Sequence, residues 1–198
     1  MKLILNKKYN PLFESDARYF IITGGRGSGK SFAATVFLTL LTMTKGIRIL
    51  FTRYTMTSAH LSIIPEFLEK IGLLGFENVF SINKAEVLNI SNKSDILFRG
   101  IKTSAGNQTA SLKSLQGIST WVLDEAEELV DENIFDTIDL SIREKDIHNR
   151  IILILNPVTK EHWIYDRFFE SKGVEGGFNG VKDNVCYIHS TYLDNKDN

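Results

Sequence analysis

Short apolar runs, each long enough for one strand, alternate along the chain with longer stretches that suit helices. Some of the short runs are apolar throughout, which is typical of strands covered on both faces. The predicted strands are Tyr19–Thr23, Ile47–Thr52, Thr120–Leu123, Ile151–Leu155 and Asn184–His189. The predicted helices are Ser31–Thr44, Ser58–Ile71, Glu125–Arg143 and Glu161–Phe169, with Pro65 as a kink or break. This alternation predicts an α/β fold whose mostly parallel central sheet carries helices on both faces.

Two segments depart from this alternation. Residues 79–100 contain short β-rich runs separated by Asn, Ser, Lys and Asp, which predicts an antiparallel β extension of the main sheet. Residues 102–119 are polar and rich in Gly and Ser, which predicts a long loop. Long loops in compact domains are more often functional than idle.

The composition limits the class of protein. With 198 residues, 43% of them hydrophobic, the chain suits one domain over residues 1–198. Cys186 is the only cysteine, which excludes an intramolecular disulfide and a cysteine-rich metal site and favours a reducing, intracellular setting. The longest apolar run, around residues 32–43, falls short of the about 20 residues that a bilayer span needs, so we expect no membrane association.

Charge is segregated along the chain although the net charge is only -1. Residues 1–60 hold nine Lys or Arg against two acids, and residues 121–146 hold ten acids against two bases. A basic N-terminal third fits a polyanion such as a nucleotide phosphate or a nucleic acid, or simply forms a solvated surface. Whole-chain charge does not favour strong nonspecific DNA binding.

The sequence GGRGSGKS fits the phosphate-loop pattern G-x-x-x-x-G-K-[ST], between a predicted strand and a predicted helix. Its glycines allow main-chain N–H groups to wrap a β-phosphate, and the helix N-terminus adds its positive dipole end. Lys30 is expected to reach the β- and γ-phosphates, and the Ser31 hydroxyl to coordinate Mg²⁺. Arg26 is an additional cation for the γ-phosphate, for a neighbouring subunit or for solvent. The nucleotide-binding residues are predicted to be Gly24, Gly25, Arg26, Gly27, Ser28, Gly29, Lys30 and Ser31.

A second signal is WVLDEAEE, in which a strand runs into carboxylates at the end where open α/β sheets bind ligands. Asp124 is expected to hold Mg²⁺, directly or through water, and Glu125 to polarise a water for attack on the γ-phosphate. Acidic residues are also common at helix N-termini, so the pair alone is weak evidence for a catalytic site. The phosphate loop upstream is what favours the catalytic interpretation. Glu127 and Glu128 are interpreted as acids on a helix face.

The sequence IILILNP ends another buried strand in Asn156. If that strand lies in the same sheet, Asn156 reaches the same ligand edge and can contact the γ-phosphate or the attacking water. Asn-Pro is also a common turn sequence, so a structural role stays open. The four histidines show no metal-ligand spacing, which leaves Mg²⁺ as the one metal that we predict.

Together, GGRGSGKS, FRG, SLKSLQGIST, WVLDEAEEL and LILNP, spread from Tyr19 to Pro157, resemble the ATPase domain of the large terminase subunit of tailed double-stranded DNA bacteriophages. The resemblance implies a P-loop NTPase fold of the additional-strand, catalytic-glutamate type, with ATP and Mg²⁺ as cofactors. It implies a motor that hydrolyses ATP to drive double-stranded DNA into a procapsid in the host cell cytoplasm. The implied partners are DNA, the portal protein, the small terminase subunit and further copies in a ring.

The resemblance also assigns roles to residues. Lys30 and Ser31 match the phosphate and Mg²⁺ residues, Asp124 and Glu125 the metal and catalytic carboxylates, and Asn156 falls in the coupling motif. Arg26 matches the loop arginine of the family. An arginine finger is also implied, with Arg99 as the first candidate and Arg143 and Arg150 after it, although each can equally be an exposed structural arginine. The adenine contact is expected near Tyr9, Asn10 or Arg18.

Complete large terminases also carry a C-terminal nuclease, for which this chain has no room, so we expect no DNA cleavage by it. Two other functions remain open. The D-E-A-E sequence resembles the D-E-A-D signature of helicase-like, nucleic-acid-remodelling ATPases, although a second set of ATPase motifs is lacking. A nucleotide-dependent assembly switch that hardly hydrolyses ATP is the other alternative, and Glu125 argues against it.

Overall fold

Ten strands of the described chain form a single mixed sheet in the computed structural model, which describes residues 3–56, 59–103, 106, 107, 112 and 114–195. In chain order the strands are β1 Tyr19–Gly24, β2 Arg48–Thr55, β3 Phe80–Ile82, β4 Glu86–Asn89, β5 Asp95–Thr103, β6 Gly106–Asn107, β7 Thr120–Asp124, β8 Arg150–Leu155, β9 Gly180–Lys182 and β10 Val185–Ser190. Across the sheet they follow the order β3-β4-β5-β2-β7-β8-β1-β10-β9, with β6 paired to β5.

The centre of the sheet is parallel, as the sequence predicts. Strands β5, β2, β7, β8, β1 and β10 pair in parallel, and β3, β4, β6 and β9 add antiparallel pairs at the margins. The predicted antiparallel extension is therefore confirmed, and its last strand, β5, joins the parallel centre. Strand β8 lies between β1 and β7, so it is the additional strand between the phosphate loop and the acidic strand end.

Helices cover both faces of this sheet. They are α1 Pro11–Glu14, α2 Lys30–Leu41, α3 Ala59–Leu73, α4 Glu132–Asp139 and α5 Trp163–Tyr165, which continues as a π-helical turn over Asp166–Glu170. Alternate residues of β1 point to opposite faces. Phe20 packs with Phe37 of α2 and Phe67 of α3 in one core, and Ile21 packs with Phe135 of α4 in the other.

Two predicted helices differ from the structure. Pro65 lies inside α3, which continues from Ala59 to Leu73 without a break. The predicted helix over Glu125–Arg143 is interrupted: Ala126–Glu128 form a 3-10 turn, Leu129 is extended and buried, and α4 begins after the N-cap Asp131. The Asp131 side chain accepts from the Asn133 N–H, which starts a new helix at that point.

Most of the predicted loop over residues 102–119 lies outside the described residues. Its described parts are the end of β5, strand β6, residue 112 and residues 114–119. None of the described helices is both long enough and apolar enough to cross a bilayer.

Candidate active site

A cleft of about 400 Å³ opens at the carboxyl ends of β1, β7 and β8. Because these strands are parallel neighbours, their ends meet at one edge of the sheet. The cleft is lined by residues 25–32 of the glycine loop and α2, by Arg53 after the middle of β2, by Asp124, Glu125 and Glu127, and by Ile154, Leu155 and Asn156. Of the residues predicted for the phosphate loop, the metal, the carboxylate pair and the end of β8, all except Gly24 line this cleft. The residues predicted near adenine and the finger candidates Arg99, Arg143 and Arg150 do not line it.

The glycine loop turns sharply from β1 into α2. A Cβ atom on Gly24 would lie 2.1 Å from the Ser190 carbonyl oxygen, so the close approach of β10 requires glycine there. Gly27 and Gly29 have φ angles of +74° and +84°, which only glycine adopts at little cost. Gly29 is the N-cap of α2, and the helix N-terminus therefore faces the cleft. Main-chain N–H groups and a helix dipole converge there, which is a site for an anion.

Lys30 lies over this loop. Its ammonium donates hydrogen bonds to the Gly24 carbonyl and, at 3.0 Å, to the Gly25 carbonyl. Burial lowers the pKa of Lys30, and the charges of Glu127 and Asp124 oppose that shift. The ammonium is thus placed between the loop and the acidic side of the cleft, where a phosphate would compete for it.

Asp124 and Glu125 are held by an arginine that sequence reasoning missed. The Arg53 guanidinium contacts Asp124 Oδ2 at 2.6 Å from Nη2 and at 2.8 Å from Nε, and its Nη1 lies 3.5 Å from Glu125 Oε1. Asp124 is only 5% exposed, and burial raises its pKa although Arg53 acts in the opposite direction. Parallel pairing of β2 with β7, Thr52 beside Leu123, brings Arg53 to the acids.

Glu125 has an unusual backbone. Its φ of +53° and ψ of +46° are left-handed, which is uncommon outside glycine and costs on the order of 1 kcal/mol. The turn ends β7 and sets the Glu125 side chain, 43% exposed, along the cleft. Burial raises the pKa of Glu125, and Arg53 counteracts this. A carboxylate with a raised pKa is a better proton acceptor.

Asn156 lies at the end of β8, beside the strand that carries these acids, and forms a hydrogen bond with Glu127. The Asn156 Nδ2 donates to Glu127 Oε1 at 2.6 Å, between the end of β8 and the turn after β7. Glu127 therefore lines the cleft instead of lying on a helix face, because the left-handed Glu125 turns the chain back toward β8.

A second, mostly apolar depression of about 380 Å³ adjoins the loop on its α2 side. Leu5, Tyr9, Phe32 and Leu73 contribute to its walls, and Phe32 is shared with the main cleft. The Tyr9 hydroxyl donates to the Ser28 carbonyl at 2.9 Å, so this tyrosine touches the phosphate loop directly. An apolar depression beside the phosphate loop suits a flat base.

The other residues predicted near adenine lie elsewhere. Arg18 precedes β1 and is bonded to Asp139 at 2.6 Å, so the length of β1, about 20 Å for six residues, separates it from the loop. Asn10 is exposed at the start of α1 and does not line the depression.

The arginines considered as fingers also differ in position. Arg26 is exposed on the loop and lines the cleft. Arg99 does not line the cleft, since its Nη1 donates to the carbonyls of Phe98 at 2.7 Å and Ala85 at 3.3 Å beside the antiparallel extension. Arg143 lines a depression with Gln116 and Glu144, and Arg150 begins β8 at the opposite end of the sheet. A role of these arginines in a neighbouring chain's site stays a prediction.

Ser31 and Asp124 offer a hydroxyl and a carboxylate to the same cleft. The described residues contain no cluster of three or more His, Cys, Asp or Glu side chains suited to a metal. Mg²⁺ in phosphate sites usually takes one or two protein ligands and completes its shell with phosphates and water. The donors present therefore fit a Mg²⁺ ion that is shared with a nucleotide.

The sequence comparisons match this chain to large subunits of phage terminases. A family profile described as "Phage terminase large subunit" matches residues 16–196. The large terminase subunit of Bacillus phage SPP1 is 24% identical over an alignment of 214 positions, which covers 98% of this chain and 47% of that protein.

Solved structures show the same fold. The large terminase of a thermophilic bacteriophage superposes with a TM-score of 0.76 at 13% identity, over 99% of this chain and 48% of that one. That terminase has also been solved in complex with ADP and with ATP-γ-S. The large terminase ATPase domain of Thermus phage P74-26 gives a TM-score of 0.64 at 19% identity, over 95% of this chain and 80% of that one. This chain thus spans about half the length of the full-length relatives that it matches.

Proposed function

Because the chain belongs to the family of phage terminase large subunits, we propose that it is the ATPase motor domain of a DNA-packaging terminase. One observation carries the proposal. The phosphate loop with Lys30 and the carboxylates of Asp124 and Glu125 face each other across one cleft, with the end of β8 between them. A cleft with a phosphate cradle on one side and a proton acceptor on the other suits hydrolysis of a nucleoside triphosphate.

The cradle would bind the phosphates. Main-chain N–H groups of the loop and the N-terminus of α2 offer donors to the β-phosphate, and Lys30 moves from loop carbonyls onto the β- and γ-phosphates. Ser31 and Asp124 would hold Mg²⁺, which when bound neutralises charge on the phosphates. The adenine base fits the depression beside Tyr9 and Phe32.

Glu125 would take the proton of the attacking water. Burial raises its pKa, which makes the carboxylate a better proton acceptor, and the Arg53 guanidinium 3.5 Å away opposes that shift. Arg53 also holds Asp124, so one cation positions both carboxylates. Asn156 faces the same space from β8 and contacts the water or the γ-phosphate.

The wider role follows from the family. We propose that hydrolysis drives double-stranded DNA through a portal into a procapsid in the host cytoplasm, with the small terminase subunit and a ring of further copies as partners. An arginine from a neighbouring copy, Arg99 first, would complete each site. We also propose that this chain alone does not cut DNA.

The test is ATP turnover and nucleotide binding by the purified chain, with and without double-stranded DNA. We expect Glu125→Gln to bind ATP with Mg²⁺ like the wild type and to lose at least about 100-fold in turnover, because the water loses its base. Lys30→Ala should lose binding. The matched control is Glu128→Gln, which removes an exposed carboxylate of the same turn.

Three outcomes would contradict this proposal. Unchanged turnover in Glu125→Gln would remove Glu125 from the reaction. Strand unwinding without capsid components would favour a helicase-like ATPase. Nucleotide binding with no turnover above the Glu125→Gln background, with or without DNA, would favour an assembly switch.

A further inference from the structure

The bond between Asn156 and Glu127 joins two strand ends inside the cleft. Glu127 lies in the 3-10 turn after β7, and Asn156 directly follows β8. The Asn156 Nδ2 donates to Glu127 Oε1 at 2.6 Å. Both side chains line the cleft.

The chemistry of this pair determines which way the Asn156 amide faces. A carboxylate only accepts hydrogen bonds, so it can be approached by the amide NH₂ group but not by the amide oxygen. The other Glu127 oxygen, Oε2, is buried and has no partner among the described residues. Rotation of the amide would place its Oδ1 against the carboxylate and break the hydrogen bond that Asn156 donates to Glu127 Oε1, which is costly because the buried Oε2 has no other partner to compensate. The Nδ2 end is therefore held by Glu127, and Oδ1 is the acceptor left for a ligand of the cleft.

The turn that carries Glu127 is itself fixed to the segment after β8. The His162 ring Nε2 lies 3.1 Å from the Glu127 carbonyl oxygen, and the Trp163 indole N–H donates to the Leu129 carbonyl at 2.5 Å. Ala126 and Leu129 of the same turn are fully buried. These contacts hold the backbone of Glu127 in place, which is required of a residue that positions another side chain.

We infer that Glu127 is a positioning residue that fixes Asn156 so that its Oδ1 accepts a hydrogen bond from the attacking water. The inference rests on the proposed ATP hydrolysis. One hydrogen of the water is passed to Glu125, and the other is held by Asn156 Oδ1, which aligns the oxygen lone pair with the γ-phosphate. The negative charge of Glu127 beside Asn156 favours a water hydrogen at this position over a phosphate oxygen.

The first experiment compares Glu127→Gln with the matched control Glu128→Gln. Each variant removes one carboxylate from the same turn, but only Glu127 contacts Asn156. A Gln at position 127 can present either end of its amide, so Asn156 is no longer held in one orientation. We expect kcat to fall about 10- to 100-fold with KM changed less than about threefold, since a misaligned water slows the chemical step without weakening nucleotide binding. Equal kcat values in the two variants would overturn the inference.

The second experiment is a rescue. Asn156→Asp places a second carboxylate beside that of Glu127. Because the two like charges repel, we expect the side chain at position 156 to be displaced and turnover to fall at least about 100-fold. In the double variant Glu127→Gln with Asn156→Asp, the Gln amide donates to the Asp carboxylate, which keeps an acceptor oxygen at position 156 and restores the net charge of the pair. We expect the double variant to recover at least about tenfold over Asn156→Asp. A double variant no faster than Asn156→Asp would contradict the inference, because it would show that the bond does not matter for turnover.

A third measurement is independent of turnover. The side-chain NH₂ resonances of Asn156 in a ¹⁵N-labelled chain, assigned with Asn156→Asp, should shift in Glu127→Gln and stay in place in Glu128→Gln. If the wild type fails to hydrolyse ATP while these resonances shift as expected, the proposed function fails and the Glu127–Asn156 bond stands. If the wild type hydrolyses ATP and the Asn156 resonances do not shift in Glu127→Gln, the positioning role of Glu127 is wrong while the proposed function stands.

Discussion

Two buried aspartates lie near opposite ends of the parallel strands: Asp124 ends β7 at the carboxyl end, and Asp139, the last residue of α4, lies near the amino end of β1, with exposures of 5% and 6%. Asp139 is surrounded by donors: Arg18 at 2.6 Å, the Tyr19 hydroxyl at 2.8 Å and Arg167 at 3.7 Å. Asp124 has one guanidinium, that of Arg53, and the N–H of Glu125, and it also borders a cleft.

If the proposed function is correct, this difference separates a structural carboxylate, Asp139, from one that takes part in the reaction, Asp124. Asp139 sits among protein donors that its own chain supplies, and it joins β1, α4 and the turn after α5. Asp124 lies where a ligand can enter, and burial raises its pKa because its charge is incompletely compensated. Two aspartates with a similar degree of burial therefore differ in their surroundings, since protein donors surround Asp139 and Asp124 borders a cleft.

The largest contrast is expected between Asp124→Asn and Asp139→Asn. Asp124→Asn should lower ATP turnover at least about 1,000-fold, since a neutral amide is a poor Mg²⁺ ligand. It should change the free energy of unfolding by less than about 1 kcal/mol, because burial already disfavours the charged form of Asp124 in the folded chain and Arg53 keeps Glu125 as a partner. Asp139→Asn should keep turnover within about threefold and destabilise the fold by about 2 kcal/mol. That cost is below the about 3–5 kcal/mol of a fully buried pair, because Arg18 and Arg167 are 31% and 29% exposed.

Turnover and urea unfolding of both variants measure this contrast. If Asp139→Asn abolished turnover in a chain that still folds, or if Asp124→Asn unfolded the chain without a specific loss of turnover, the distinction between the two ends would be wrong.

A substitution at Gly24 tests how closely β1 and β10 pack at the end of the sheet that carries the cleft. Gly24→Ala would place a methyl group 2.1 Å from the Ser190 carbonyl, so β1 and β10 must separate, and we expect a loss of about 3 kcal/mol in the free energy of unfolding. Gly25→Ala is the matched control, because nothing lies within 4 Å of its Cβ position. Thermal and urea unfolding of the two variants measure the difference, and equal stabilities would mean that β10 tolerates the methyl group.

Much of the fold could be predicted because its signals are local. The apolar runs indicated where β1, β2, β7, β8 and β10 lie, and the alternation with helices predicted the parallel sheet. The short strand β9 was missed because Gly180–Lys182 has only one strongly apolar residue, Val181, which is exposed. The helix predicted over Glu125–Arg143 failed because helical periodicity does not reveal the left-handed turn at Glu125.

The candidate site likewise contains residues that local sequence signals indicated and residues that they did not. Lys30 and Ser31 could be placed from the phosphate-loop motif, and Asp124 and Asn156 because each directly follows a predicted strand and such positions meet at one edge of a parallel sheet. Arg53 also follows the predicted strand over Ile47–Thr52, but its partner Asp124 is 71 positions away and the order of strands is not a local signal. Glu127 was misplaced because its contact with Asn156, 29 positions away, depends on that same turn at Glu125.

The smallest effect is expected along β2, which carries an ion pair at each end. Arg53→Ala removes the cation that favours the charged forms of Asp124 and Glu125, so both pKa values rise further. Because Glu125 must be ionised to accept a proton, the acid limb of the kcat/KM profile should move up by about one pH unit, and the loss of rate should be larger at about pH 6 than at about pH 8. Arg48→Ala is the matched control, since Arg48 bonds Asp95 at 3.1 Å at the other end of the strand. It should lower stability and leave the acid limb in place, and an equal shift in both variants would show that Arg53 does not act on the acids of the cleft.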